Sequence, residues 1–121
     1  MDTLSIAKAI AAGSLLALSA CASGPSVRPQ LAQTAGAVRA AEEVGAQDVP
    51  EAALHLKYAS SELEQGRALV DKGEDDRARR ALERAELDAE LALALVKRNR
   101  AQAELHRVDS ELSEMNTKLS E

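Results

Sequence analysis

The sequence predicts an all-α protein: a short first helix, then an antiparallel helical hairpin whose long C-terminal helix overhangs as a coiled-coil-like segment. Three observations carry that expectation. The apolar residues are Ala, Leu and Val, with one Tyr and no Phe or Trp among 121 residues, and Ala, Leu, Glu and Arg all rank high in helix propensity. No window shows the β-branched alternation of a strand. Two breaks, "GAQDVPEA" and "DKGEDDRA", divide the chain beyond Gln30 into three segments with helical apolar spacing.

The first helix is expected over Leu31–Val44, with Leu31, Ala35, Val38 and Ala41 on one stripe. Before it, "ASGPSVRPQ" (Ala22–Gln30) is rich in Ser, Gly and Pro without apolar period and reads as a tether. Gly45 suits a left-handed C-cap. Asp48 is placed to cap the next helix, with Glu51 completing a capping box and Pro50 tolerated in the first turn.

The second helix is expected from Pro50 to Asp71. Ala52, Leu56, Ala59, Leu63, Gly66 and Val70 alternate in spacing between 4 and 3, a seam for one partner helix. Gly66 costs roughly 1 kcal/mol relative to Ala in mid-helix, and its place on the seam suits a close neighbour. Gly73 ends this helix, and Glu74 or Asp75 opens the next with acidic charge at its positive end.

From there no Gly or Pro interrupts the chain as far as Leu119. Some 45 residues at ~1.5 Å each make a rod of about 68 Å, against ~33 Å for the second helix, so the third must overhang. It carries two stripes on nearly opposite faces. Ala78, Leu82, Ala85, Ala89, Ala92 and Val96 match the second helix's seam in small-residue character. The other stripe runs Leu87, Leu91, Ala94, Arg98, Ala101, Leu105, Val108, Leu112, Met115, Leu119, a heptad pattern interrupted only by Arg98. Hairpin packing therefore falls to Leu56, Ala59, Leu63, Gly66, Leu82, Ala85, Ala89 and Ala92. Partner binding falls to Leu105, Val108, Leu112, Met115 and Leu119, on the overhang from Lys97 to Leu119. In a parallel homodimer Glu104 would face Asp109 of the second chain, a like pair, so an antiparallel self-pair or a different protein is expected.

The amino-terminal segment is read separately. Ala9–Ala20 is an unbroken run of small and apolar residues, about a dozen against roughly 20 needed to span a bilayer. It reads as the apolar region of a secretory signal. The run ends in Leu18-Ser19-Ala20-Cys21, holding the only cysteine of the chain. This resembles the lipobox of bacterial lipoproteins, in which the cysteine thiol takes a diacylglyceryl group and cleavage falls between Ala20 and Cys21. That resemblance implies removal of Met1–Ala20, a lipid-anchored protein and, with Ala22 rather than Asp after the cysteine, the outer membrane facing the periplasm.

The segment "GAQDVPEAALHLKYASSELEQGRALVDKGEDDRARRALERAELDAELALAL" resembles the helical domain-of-unknown-function family 4398. The resemblance rests on Gly45-Ala46, Pro50, Ala59, Gly73-Glu74, Ala78, Ala81, Ala85 and Asp88–Ala92, and extends over Leu31–Leu105. It implies a helical hairpin in a small envelope lipoprotein, with no established activity. The related pattern in which such a hairpin precedes an OmpA-like peptidoglycan-binding domain is not met here, so wall binding by that route is not expected.

No catalytic constellation is evident. His55 and Glu51 share a helix face, but two ligands make no metal site. Asp88 and Glu90 point apart. Gly-rich phosphate loops are absent. Apart from the lipid on Cys21 no cofactor is expected, and no small-molecule substrate. The formal net charge is −5. The basic clusters at Arg77, Arg79, Arg80, Arg84 and at Lys97, Arg98, Arg100 lack interleaved aromatics, which argues against nucleic acid; each reads as a solvated helix face. Two functions remain: a membrane-anchored helical adaptor for an envelope partner or a second copy, or a passive spacer bracing outer membrane against wall. The apolar seam in the overhang favours the adaptor.

Overall fold

The computed structural model describes residues 26–120; the lipobox, Cys21 and the segment expected to be removed lie outside them. Three helices follow in order: α1, Arg28–Glu43; α2, Pro50–Asp71; and α3, Asp75–Leu119, with one 3₁₀ turn at Ala46–Asp48 between the first two. The expected all-α architecture is present, with no strand among the described residues.

α1 begins at Arg28, not at Leu31, so the end of the expected tether is helical. The reason is twofold. Pro29 sits in the first turn, where its missing N–H has no partner to lose. Val27, just before, is 2% exposed and belongs to the core, and its carbonyl accepts from the Leu31 amide at 3.0 Å.

The expected Asp48 capping box does not form. Val49 occupies the N-cap position, extended at φ −109° and ψ 111°, and no side chain caps the helix. A residue before proline is pushed out of the helical region, so Pro50 fixes Val49 as the boundary and leaves Asp48 in the preceding turn. At the other end of α2 the expected stop is seen in full. Gly73 adopts φ 72°, its amide donates to the Val70 carbonyl, and the Glu74 amide donates to Leu69 at 2.9 Å. This Schellman closure satisfies two carbonyls that a helix end leaves orphaned.

α2 and α3 run antiparallel, and α1 lies in the groove between them, parallel to α3. Its direction is set by contacts at both ends: Gln30 Nε2 donates to the Arg79 carbonyl at 3.4 Å, and Arg100 donates to the Val44 carbonyl at 2.7 Å. Ala52, Leu56, Ala59, Leu63 and Gly66 of α2 are buried, as are Ala78, Leu82, Ala85, Ala89, Ala92 and Val96 of α3. The third helix widens each face beyond a two-helix seam. Leu69 joins the core while Val70 is only partly buried, and Ala81 and Leu95 extend the face of α3. Thr34 of α1 is 0% exposed and donates a long hydrogen bond of 3.5 Å to the Leu82 carbonyl.

α2 and α3 approach tightly at Gly66. A Cβ there would stand 2.6 Å from Leu82 Cδ2 and 2.8 Å from Leu82 Cγ, and Leu82 is itself 0% exposed. Glycine at this point of α2 lets the leucine of α3 seat against bare backbone.

Candidate functional site

The bundle stops at Val96; from Lys97 to Ser120 every described residue is exposed. Two arginines mark the edge. Arg98 reaches across to Glu51 at the start of α2, and Arg100 closes on the Val44 carbonyl at the end of α1. They clamp the bundle at the level where α3 leaves it. These residues, read from sequence as a solvated face, are tied across helices. The same holds for Arg84, whose Nε donates to Glu62 Oε1 of α2 at 2.6 Å; Arg77 instead pairs locally, with Glu74 at the N-cap of α3.

From Lys97 onward α3 continues to Leu119 for about 34 Å as a single helix. Leu105, Val108, Leu112, Met115 and Leu119, the partner-binding residues expected from sequence, are all exposed, from 39% at Val108 to 85% at Leu119. The stripe does not begin at the overhang. Leu87 and Leu91, on the outer face of α3 within the bundle, are 65% and 42% exposed and continue the same line. The side of α3 away from α1 and α2 thus carries one exposed apolar stripe, broken only at Arg98.

Charges hold the overhang helical along its flank. Arg107 donates to both oxygens of Glu104, and its Nη1 donates to Glu111 at 2.6 Å. The hydrogen bonds from Arg107 hold the Glu104 carboxyl below its ordinary range, and the Arg107 guanidinium is raised in turn, Glu104 being the larger cause. Spaced at i,i+3 and i,i+4, these pairs support a helix that has no tertiary neighbour.

Within the bundle, His55 faces α3 and not only solvent: its Nδ1 lies 2.7 Å from Asp88 Oδ1, both side chains about three-quarters buried. Its ring meets Tyr58 edge-on at 6.2 Å between centroids. His55 and Glu51, four residues apart on one helix face, do not pair: Glu51 goes to Arg98 and His55 to Asp88. Among the described residues no cluster of three His, Cys, Asp or Glu side chains could hold a metal ion. No described helix is long and apolar enough to cross a membrane.

The geometry defines a class: a small three-helix bundle that uses one continuous helix both as core element and as projecting rod. The chain belongs to the family described as Domain of unknown function (DUF4398), whose model matches residues 29–108. The match covers the bundle and reaches Val108, so the overhang beyond it lies outside the shared domain. No curated protein and no solved structure matches the chain.

Proposed function

We propose that the chain is a membrane-tethered envelope scaffold, lipidated at Cys21, held at the bacterial outer membrane facing the periplasm, and binding protein through the stripe of α3. The observation that carries this reading is the stripe itself, exposed along a helix that extends past its own bundle. Isolated helices are marginal in water because most of their stability comes from packing an apolar face. A heptad line of Leu, Val and Met on the projecting segment is what a helix needs when another helix covers it. A passive brace requires length alone.

Anchoring rests on Leu18-Ser19-Ala20-Cys21 and the apolar run before it. One acyl chain binds membranes only weakly, so stable tethering takes two or three. The test is photo-crosslinking in living cells, with probes at Leu105 and Leu112 and a control at Ser110, which is exposed but off the stripe. The scaffold reading expects a discrete protein adduct from the two stripe positions and none from the control. No adduct from either stripe position, with the protein folded and anchored, would leave the passive brace.

A further inference from the structure

We propose that the occupant of the stripe is a second copy of this chain, paired antiparallel over residues 87–119 so that Leu119 of one copy lies against Leu87 of the other. This deepens the scaffold reading and rests on its claim that the stripe is a binding face.

Charge selects the orientation and register. The residues that immediately precede Leu91, Arg98, Leu105, Leu112 and Leu119 along one flank of the stripe are Glu90, Lys97, Glu104, Glu111 and Lys118, all exposed. In an antiparallel coiled coil these face one another, and two-fold symmetry makes each unlike contact occur twice. With Leu119 set against Ala94 of the second copy, Glu104 meets Glu111 and Lys97 meets Lys118, like charge on like. With Leu119 against Ala101, Glu104 meets Lys118, but Glu111 and Asp109 each face themselves. With Leu119 against Val108, charges agree, yet the overlap is about the length at which an isolated helix fails to hold, and Leu87, Leu91 and Leu105 stay bare.

With Leu119 against Leu87, Lys97 meets Glu111 and Glu90 meets Lys118. One like pair remains, Glu104 facing itself at the centre. It is already countered, because Arg107 of each copy holds its own Glu104 through two hydrogen bonds.

Packing agrees with charge. In this register Leu105 faces Ala101 and Leu112 faces Ala94, large against small, which lets the helices approach closely. Leu91 faces Met115. The interruption at Arg98 falls opposite Val108. Its guanidinium is drawn off to Glu51 of its own α2, leaving the aliphatic stem to cover the valine. Leu87 sits in a shallow depression rimmed by Glu83, Glu86 and Glu90. Leu119 of the second copy fills it, and the adjoining Lys118 meets the acidic rim. The register covers every large exposed hydrophobic side chain of α3.

The test is disulfide trapping of the purified full chain carrying Cys21→Ser, so that introduced thiols are the only ones, oxidised with copper phenanthroline. Leu87→Cys with Leu119→Cys is expected to give a covalent dimer. Leu112→Cys alone, which reports a parallel pair, and Ala101→Cys with Leu119→Cys, which reports the shifted antiparallel register, are expected to stay monomeric. Lys118→Glu in the trapping background lowers the dimer yield roughly tenfold, and Glu90→Lys added to it restores the yield where Glu104→Lys does not. These exposed charges leave the bundle core untouched, which circular dichroism verifies. A dimer from either control, rescue by Glu104→Lys, or no dimer at all overturns the pairing. In the last case a different protein crosslinked at Leu105 would leave the scaffold reading standing, and none would remove both.

Discussion

Replacing Gly66 by Ala pits helix propensity against packing, and the structure says which wins. In an exposed helix interior the change gains about 1 kcal/mol. At Gly66 the new Cβ lands 2.6 Å from Leu82 Cδ2, about 1 Å inside ordinary carbon–carbon contact. Leu82 is fully buried, and its Cγ is also too close at 2.8 Å, so swinging the far methyl does not relieve the clash. Overpacking of this kind costs about 1–3 kcal/mol, leaving a net loss of about 1 kcal/mol, or roughly 4–8 °C in Tm for a domain of this size. Gly36 is the internal control. It lies in α1 with nothing within 4 Å of its Cβ position, so Gly36→Ala should gain the propensity term undiminished. A third arm tests the cause. Leu82→Ala alone costs about 2–5 kcal/mol, but it removes both clashing atoms and leaves a residue-66 Cβ with the Ala78 carbonyl oxygen at 3.7 Å, an ordinary contact. In the Leu82→Ala background Gly66→Ala should therefore become stabilising by about 1 kcal/mol. Urea and thermal denaturation followed by circular dichroism measure all four variants. If Gly66→Ala raises stability in the parent as much as Gly36→Ala does, the close approach of α2 and α3 is refuted.

Three further outcomes are expected. Cys21→Ser should abolish incorporation of labelled fatty acid and leave an uncleaved precursor, and continued labelling would remove the lipidation reading. Because Arg107 lowers the Glu104 carboxyl, the pair's support of the overhang is complete above the ordinary glutamate range and is lost as pH falls through the lowered value. Arg107→Gln should return the Glu104 titration, followed by NMR, to the ordinary range; an unmoved titration would contradict the assigned cause. A double-mutant cycle of His55→Ala and Asp88→Ala should show a coupling of about 0.5–1.5 kcal/mol near neutral pH, and additive losses would mean the 2.7 Å contact contributes nothing.

The helices of this chain were legible because its chemistry is local. An Ala-Leu-Glu-Arg composition and uninterrupted spacing define α3 to its last turn, and Gly45 and Gly73 take the left-handed conformations expected of them. What was not legible is the arrangement of three helices at once. The spacing of α2 implies a single seam, but Leu69, Ala81, Leu95 and Thr34 are buried because α1 lies against both arms of the hairpin. The signal for this was present as doubled apolar positions, Ala81-Leu82 and Leu95-Val96, which one partner helix does not require. Thr34 carries no such signal, since its polarity hides a methyl that the core accepts once the hydroxyl finds a carbonyl. Arg98 and Arg100 could not be assigned from sequence because their partners are distant in the chain: Glu51 comes near after one reversal of direction and the Val44 carbonyl after two. The stripe, by contrast, was read residue by residue, since an exposed line on one helix needs no knowledge of its neighbours.

Because α1 is parallel to α3, the amino-terminal end of the described chain and the free tip of the rod stand at opposite poles. If Cys21 is lipidated as proposed, the anchor would grip the molecule at its base, since the segment from Cys21 to Val27 stretches about 20 Å at most. In the antiparallel register the two bases lie about 84 Å apart along the common axis. Two copies rooted in one bilayer could not both stand upright while joined this way. The pair must recline along the membrane surface like a rail pinned at each end, or else link two separate surfaces. Pairing and posture become one question, and the distance between lipid anchors, measured by spectroscopic rulers at the two bases, answers both.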